Sequence, residues 1–340
     1  MNAVFDDTRP AGLLAIDREM ARQHADALAS FEAAGSMAER AAASLRRTGR
    51  LLLLGMGGSH AVGRAVAPLY RALGIDALAI PLSEQLGAPL PLGERTVFVT
   101  SQSGESVEVL RWFKETGGTA DTFGLTMEAA SALASFCPSL VGLGGTEHAF
   151  AATRSLTVTF ALHLAVLQAL GVDPSAALAV LKAPEVPSID PALATLGTVS
   201  TVVTSGRRLQ GLAEAVALGF TELSRLPCFS LEGGQLRHGP LEMLGPQTGL
   251  VFFRAADATA GLVAAMAETA AGAGAPTVVF DCSGEAAVAG VTTLRFAPAD
   301  GLAAIFAMLP AAQRLMIAFA AARVSDPGTP IRSTKVTRTE

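Results

Sequence analysis

Short apolar runs alternate with helical patterns along most of this chain of 340 residues. Apolar residues recur at three- and four-residue spacing over residues 13–48, which predicts a helix. The run RLLLLG that follows is typical of a buried strand and leads directly into glycines. Further strands are predicted over residues 78–81, 96–100, 122–126, 139–143, 199–204, 249–254 and 277–281, with helices over about residues 107–116, 151–170, 212–224, 259–273 and 302–322. This alternation indicates an α/β fold, with doubly wound parallel sheets between two layers of helices.

The order of elements begins again near the middle of the chain. Three prolines between residues 184 and 191, with acidic and small residues around them, predict a linker. Each half then carries a loop with a glutamate, Glu84 or Glu232, between comparable strands, which we interpret as duplication of one α/β module. The expected organisation is a helical segment over 1–48, a first module over 49–182, a linker over 183–197, a second module over 198–325 and a tail over 326–340.

The composition favours a tightly packed α/β core. Half of the residues (50%) are hydrophobic but only 5% are aromatic, and 34 are glycine. Small apolar residues allow helices to pack closely on a fully covered parallel sheet. Charged residues make up 16%, against about 25% in typical globular domains. This composition excludes disorder and coiled coil, and the shortage of charge predicts a surface covered by a second copy, as in a homodimer.

Several cellular settings and partners are not expected. The two longest apolar stretches, residues 155–169 and 301–322, are interrupted by polar residues, so no membrane span is predicted. The acidic N-terminus predicts no secretory signal, and the isolated Cys137, Cys228 and Cys282 predict neither disulfides nor a zinc site. A net charge of −5 gives no reason to expect nucleic acid. We therefore expect a cytoplasmic protein without metal or cofactor.

The sequence FVTSQSGES (residues 98–106) carries the strongest chemical signal. It places the hydroxyls of Ser101, Ser103 and Ser106 where a strand ends and a helix begins. Together with the N–H groups of that helix, they would surround a phosphate with donors. Ser59 follows the first strand in the same way, and the carboxyl ends of parallel strands are where such sheets bind ligands. The alternative is that these serines cap two ordinary helices.

The type of phosphate ligand is restricted by motifs that are missing. Neither GxGxxG nor GxxxxGK[ST] is present, which argues against a dinucleotide or a nucleoside triphosphate. The sequence therefore predicts a small phosphorylated ligand.

Five motifs together resemble one known family. They are GMGGSHAVG (55–63), SEQ (83–85), TSQSGES (100–106), LRHGP (236–240) after Glu222, and the tail DPGTPIRSTKVTRTE (326–340). The sequence is similar to double sugar isomerase (SIS) domain proteins, such as the isomerase half of glucosamine-6-phosphate synthase and stand-alone phosphosugar isomerases and deaminases. The resemblance implies two flavodoxin-like SIS modules in tandem.

The same resemblance implies roles for individual residues. The family's enolisation base matches Glu222, its ring-opening histidine, contributed across a dimer interface, matches His238, and a lysine of its tail matches Lys335. The residues that match the family's sugar-phosphate loops are Ser59, Ser101, Gln102, Ser103 and Ser106.

The chemistry of these side chains fits those roles. Aldose–ketose isomerisation moves a proton between neighbouring carbons, so one carboxylate suffices if burial raises its pKa towards neutrality. A histidine can move the proton that opens the ring, and an amine can form a Schiff base or stabilise an enolate oxygen. The alternatives are that Glu222 lies on a solvated helix face, that His238 is a loop histidine bonded to backbone, and that Lys335 belongs to a solvated tail.

Two positions depart from the family pattern. Gly58 stands where members often have a threonine, so one hydroxyl contact to the phosphate is missing. Gly219 stands where the synthase-like members carry a helical lysine one turn before the catalytic glutamate, which argues against a synthase-like mechanism. No glutaminase segment is expected ahead of the first helix, so we expect no glutamine hydrolysis.

These observations lead to one main functional hypothesis. It is a metal-free, homodimeric isomerase or deaminase that acts on a hexose 6-phosphate or an amino-sugar 6-phosphate resembling glucosamine 6-phosphate. One alternative is a deglycase that removes the amine from a fructosamine phosphate. Another is a non-catalytic sugar-phosphate sensor, although regulators of this family usually carry a helix-turn-helix, for which the short N-terminus leaves no room.

Overall fold

Two parallel five-stranded sheets flanked by helices form the framework of residues 9–338, the part of the chain that the computed structural model describes. The described chain divides into two compact units. Unit 1 contains Leu14–Lys182 and residues 330–338, and unit 2 contains residues 9–13 and Ala183–Thr329. The predicted α/β class with parallel sheets is therefore confirmed, whereas the predicted domain boundaries and the duplication of one module stay predictions.

The sheet of unit 1 lies between helices on both faces. Its strands are β1 (Arg50–Gly55), β2 (Asp76–Pro81), β3 (Thr96–Thr100), β4 (Thr122–Thr126) and β5 (Ser139–Val141). They pair in the order β2-β1-β3-β4-β5, and every pair is parallel. All residues of β3 and β4 are buried, which explains why these strands appear in the sequence as continuous runs without alternation.

The helices of unit 1 are α1 (Ala11–Ala33), whose first three residues belong to unit 2, α2 (Gly35–Thr48), α3 (Gly57–Ala72), α4 (Leu82–Gly87), α5 (Val107–Thr116), α6 (Ala132–Phe136), α7 (Arg154–Ala169) and α8 (Ser175–Lys182). Helices α2, α3 and α7 cover one face, where Tyr70 and His163 contact Phe98 of β3. Helices α4, α5 and α6 cover the other face, where Trp112 and Leu133 pack in a cluster with strand residues. The single helix predicted over 13–48 is interrupted before Gly35, because glycine has a low helix propensity.

Unit 2 contains strands β6 (Thr201–Ser205), β7 (Phe229–Ser230), β8 (Thr248–Arg254), β9 (Thr277–Asp281) and β10 (Thr292–Arg295). Its helices are α9 (Asp190–Thr195), α10 (Gln210–Ser224), α11 (Gly233–Arg237), α12 (Ala260–Gly272) and α13 (Gly301–Ala321), with a 3-10 turn at Pro240–Met243. The strand order is β10-β9-β8-β6-β7. When strands are counted from the first of each unit, both sheets have the order 2-1-3-4-5, which is the flavodoxin-like order.

Helix α13 accounts for the most apolar segment of the described chain. By length and composition alone, it is the one helix among the described residues that could cross a membrane. However, 83% of its most apolar window is buried inside the protein. It packs against α10, where Phe319 contacts Phe220 edge to face, and therefore forms part of the core of unit 2.

Candidate functional site

The loop between β3 and α5, residues 101–106, gathers serine hydroxyls at the end of the sheet; we call it the serine loop. Ser101 Oγ lies 3.2 Å from Ser106 Oγ and accepts a hydrogen bond from Gly104 N at 3.2 Å. Ser103 Oγ accepts from Glu105 N at 3.2 Å. The structure thus brings together the predicted serines of this loop, next to the N-terminus of α5.

The serines do not cap their helices, so the capping alternative is wrong. Ser106 occupies the N-cap position of α5, but its side chain makes no capping hydrogen bond. The N-cap residue of α3 is Met56, so that Ser59 lies inside the first turn of that helix. By contrast, Ser131 caps α6 through Ala134 N at 3.3 Å. The N-terminus of α5 therefore presents N–H groups without a side-chain cap.

Hydrogen bonds from residues near the end of β4 fix the backbone of the serine loop. Gln102 O accepts hydrogen bonds from Met127 N at 3.0 Å and from Thr126 Oγ1 at 3.2 Å. Glu105 turns away to accept from Ala132 N at 2.7 Å. Gln102 Nε2 is buried and has no hydrogen-bond partner among the described residues. A buried amide donor without an acceptor is costly, so Gln102 keeps an unused donor in the serine loop.

The N-terminal turn of α3, which carries Ser59, follows a strand that lies beside the strand of the serine loop. In the parallel pairing of β1 with β3, Gly55 is the partner of Thr100, so both strands end at the same level. A Cβ atom at Gly55 would lie 2.8 Å from the backbone carbon of Ser59, and so the close turn requires glycine here. A Cβ at Gly58 would lie 3.1 Å from Leu156 Cδ2, so a larger residue here would require a small shift of the Leu156 side chain.

The C-terminal tail of unit 1 reaches the same end of α5. Thr337 O accepts a hydrogen bond from Val107 N, the first residue of the helix, at 3.0 Å. Lys335 Nζ lies 2.9 Å from Glu147 Oε2 and 3.4 Å from Phe150 O. Lys335 is thus half-buried and paired, rather than solvated as the alternative interpretation expected.

Glu147 is a polar residue of this region that the sequence analysis missed. It is fully buried and accepts hydrogen bonds from Thr153 N at 2.9 Å and Ser155 Oγ at 2.6 Å. Burial raises the pKa of Glu147, but the Lys335 ammonium and the hydrogen bonds from Ser155, Lys335 and Thr153 outweigh burial and hold this pKa below its usual 4.5. Glu147 is therefore an ionised carboxylate inside the protein.

The remaining predicted residues lie in unit 2. Glu222 is partly exposed in the last turns of α10. His238 is exposed directly after α11, and its backbone N–H donates to Gln235 O at 3.1 Å. Their catalytic roles stay predictions.

Gly219 faces the interior of unit 2. It is buried in α10, and a Cβ atom at this position would overlap Met316 Sδ of α13. A lysine at position 219 would therefore have to enter the contact between these two helices. The departure from the family pattern therefore lies where α10 packs on α13.

Comparisons with known proteins identify the fold. No protein-family model matches the chain, and no curated protein sequence matches it. The tagatose-6-phosphate ketose/aldose isomerase of Escherichia coli has 22% identity and a TM-score of 0.77, over 94% of this chain and 96% of the other. The C-terminal domain of glucosamine-fructose-6-phosphate aminotransferase from Francisella tularensis has 15% identity and a TM-score of 0.78, over 94% and 98%.

A third solved structure agrees with these two. Glucosamine-6-phosphate deaminase from Thermotoga maritima has 21% identity and a TM-score of 0.70, over 92% of this chain and 99% of the other. Each likeness covers almost the whole of both chains. The similarity to the SIS proteins is therefore confirmed at the level of the fold: the chain has the SIS fold of phosphosugar isomerases.

Proposed function

We propose that this chain is a sugar-phosphate enzyme that binds its substrate's phosphate at the serine loop and isomerises or deaminates the sugar. The observation that carries the proposal is the uncapped N-terminus of α5, surrounded by serine hydroxyls and by the unpartnered Gln102 amide. A helix N-terminus carries about half a positive charge, and its free N–H groups suit a phosphate dianion. The substrate is a hexose 6-phosphate or an amino-sugar 6-phosphate.

The proposed chemistry needs no metal. Glu222 moves the proton between C1 and C2, and His238 transfers the proton that opens the sugar ring. Lys335 acts on the carbonyl oxygen, where an ammonium stabilises the negative charge of the enolate. The fold shared with a ketose/aldose isomerase and a deaminase supports this class of reaction.

We also propose the assembly in which this chemistry takes place. The equal strand order of the two sheets supports tandem SIS modules that arose by duplication. The family places its ring-opening histidine across a dimer interface, and so the working form is a homodimer. The apolar helix α13 is packed inside the protein, in keeping with a cytoplasmic enzyme.

A binding screen tests the phosphate site first. Fructose, glucosamine, N-acetylglucosamine and fructosamine 6-phosphates are compared by thermal shift, each beside the sugar without phosphate. A ligand at 100 times its dissociation constant adds about 2.7 kcal/mol to stability, which is easily measured. Stabilisation by the phosphorylated sugars alone supports the site, and no stabilisation by any of them contradicts it.

Solvent exchange then tests the reaction. The wild type should incorporate deuterium from D2O into the bound sugar at C1 or C2, whereas Glu222→Gln should bind the sugar and lose this exchange. Undiminished exchange in Glu222→Gln would exclude Glu222 as the base. Release of an amine from fructosamine phosphate would identify the deglycase, and binding without exchange by the wild type would identify a sensor.

A further inference from the structure

Glu147 is a buried anion that the proposed reaction does not use. It lies in the loop between β5 and α7, and its cationic partner, Lys335, is 188 residues further along the chain. The carboxylate is also held at the N-terminus of α7. Its Oε1 accepts from Thr153 N at 2.9 Å and from Ser155 N at 3.2 Å, where helix N–H groups favour an anion.

The two carboxylate oxygens of Glu147 accept hydrogen bonds from different groups. Oε1 is occupied by the N–H groups and by the Thr153 hydroxyl, whereas Oε2 accepts from Ser155 Oγ and from Lys335 Nζ. Since the start of α7 fixes Glu147, the position of the anion does not depend on the tail. A buried carboxylate that loses its ionic partner is strongly disfavoured, so Glu147 binds Lys335 in a defined place.

We propose that Glu147 is a positioning residue, which fixes Lys335 and the surrounding tail beside the serine loop. The catalytic part of this inference rests on the proposed function, because Lys335 acts on substrate only in that reaction. Two contacts define the docked tail: the ion pair of Lys335 with Glu147, and the hydrogen bond from Val107 N to Thr337 O at 3.0 Å. An ammonium has three N–H donors, of which Glu147 and Phe150 O take two.

Amide hydrogen exchange tests the docking without any substrate. The Val107 amide reports on the tail because its acceptor is Thr337 O. We expect Glu147→Gln and Lys335→Met each to speed exchange at Val107 by about tenfold, and the double variant to add nothing further. Thr157→Val is the matched control, because it removes a different buried hydrogen bond of α7, to Gln23 at 2.8 Å. Protection at Val107 that is unchanged in Glu147→Gln but lost in Lys335→Met overturns the inference.

Steady-state kinetics test the positioning of Lys335. With the substrate found in the screen, Glu147→Gln should lower kcat by about a hundredfold, the loss expected when a reacting group is misplaced by roughly 1 Å. KM should stay within about threefold, because the serine loop still binds the phosphate. Glu147→Asp keeps the charge and should recover part of kcat, and Thr157→Val should keep all of it.

The two proposals fail in different ways. If the wild type turns over no sugar phosphate, the proposed function fails, and exchange at Val107 still decides whether Glu147 docks the tail. If the wild type is active and a folded Glu147→Gln variant, verified by its thermal unfolding, keeps the wild-type kcat, the positioning role fails alone. A loss in Glu147→Gln that exceeds the loss in Lys335→Met also overturns it, since Glu147 would then act other than through Lys335.

Discussion

A serine at the start of a helix can cap that helix or direct its hydroxyl elsewhere, and Ser106 does the second. It stands at the N-cap of α5, where a serine normally accepts an N–H of the first turn. Instead, its hydroxyl lies 3.2 Å from Ser101 Oγ, and Val107 N donates to the tail at Thr337 O. The hydroxyls of the serine loop are thus oriented towards one another rather than towards the helix that they precede.

Ser106→Ala should weaken ligand binding without destabilising the protein. A hydrogen bond to a charged group contributes about 1.5–3 kcal/mol, so the dissociation constant for a sugar phosphate should rise by about one to two orders of magnitude. The control is Asp300→Ala, which removes a true cap: Asp300 accepts from Gly301 N at 2.6 Å at the start of α13. That variant should lose about 1 kcal/mol of stability and bind normally. Calorimetric titration measures the dissociation constant of each variant, and thermal unfolding measures its stability. Weaker binding in Asp300→Ala together with normal binding in Ser106→Ala would contradict the assignment.

His163 makes the stability of unit 1 depend on pH. It is fully buried, its Nδ1 forms a hydrogen bond with the Tyr70 hydroxyl at 3.0 Å, and burial lowers the pKa of His163 from 6.5 to about 3. Below pH 6.5 the unfolded chain therefore binds a proton that the folded chain does not bind until about pH 3. Stability should fall as the pH falls through this window, by up to about 1.4 kcal/mol per pH unit from this one group.

Denaturant unfolding at several pH values measures this dependence. His163→Leu should be less stable than the wild type near neutral pH, because the buried Tyr70 hydroxyl loses its hydrogen-bond partner, but its stability should fall less steeply with acid. The carboxylates of the two proteins are the same, so the difference in slope belongs to His163. Equal slopes in the two proteins would show that His163 is already protonated in the fold.

At the scale of the elements, two glycines flank α5 in the left-handed region. Gly104, in the serine loop, has φ +64° and Gly117, at the C-cap, has φ +70°. A Cβ at Gly104 would overlap Ser131 Oγ, whereas a Cβ at Gly117 would meet nothing within 4 Å. The two positions therefore share the backbone strain of a substitution and differ only in the space around it.

The pair gives a matched test of how rigidly the serine loop is built. Gly117→Ala should cost about 1–2 kcal/mol, which is the penalty of the left-handed conformation. Gly104→Ala should cost a further ~1–3 kcal/mol from overpacking against Ser131, and should also weaken sugar-phosphate binding because the loop must shift. Chemical denaturation and titration of both variants measure the difference. Equal losses would mean that the loop adapts freely to an added methyl group.

The sequence predicts elements best where burial is complete. The strands β3, β4 and β9 begin and end at the predicted residues, because every position in them is buried and their apolar runs are bounded by turns. The edge strands β7 and β10 were missed, since they are short and mostly not buried. Helix α7 begins three residues later than predicted, at Arg154, because apolar residues before it lie in an irregular segment.

The residues of the candidate site also differ in whether the sequence reveals them. The serine loop is visible in the sequence because its residues are contiguous and follow a strand. Glu147 is not visible, because its charge is explained only by Lys335, far along the chain, and by the N–H groups of α7. Short-range pattern therefore locates the proposed binding loop, whereas pairs that are remote in sequence need the fold.

At the scale of the whole molecule, the two sheets have the same strand order but differ in the residues that follow the third strand. After the third strand of unit 1 comes the serine loop, and after the third strand of unit 2 comes an ion cluster. Arg254, the last residue of β8, is 3% exposed and lies 3.2 Å from Asp281, which is 1% exposed. It also donates to Ala260 O at 3.0 Å and pairs with Glu285. In unit 2 the protein's own charges thus lie at the end of the third strand, where unit 1 has the serine loop, although α12 lacks a side-chain cap as α5 does.

This difference predicts that each chain binds one sugar phosphate and not two. Titration calorimetry should give a stoichiometry of one per chain, and Ser106→Ala should remove most of the heat, because the proposed phosphate contacts belong to the serine loop of unit 1. Breaking the buried pair of unit 2 with Asp281→Asn should lower stability by up to about 3–5 kcal/mol, since the buried Arg254 then keeps only the exposed Glu285 as a counter-charge, while the stoichiometry stays at one. A second binding event that survives Ser106→Ala and disappears in Asp281→Asn would show instead that unit 2 has a phosphate site of its own. Each of the two sheets would then have a site, and the ion cluster would be part of one of them.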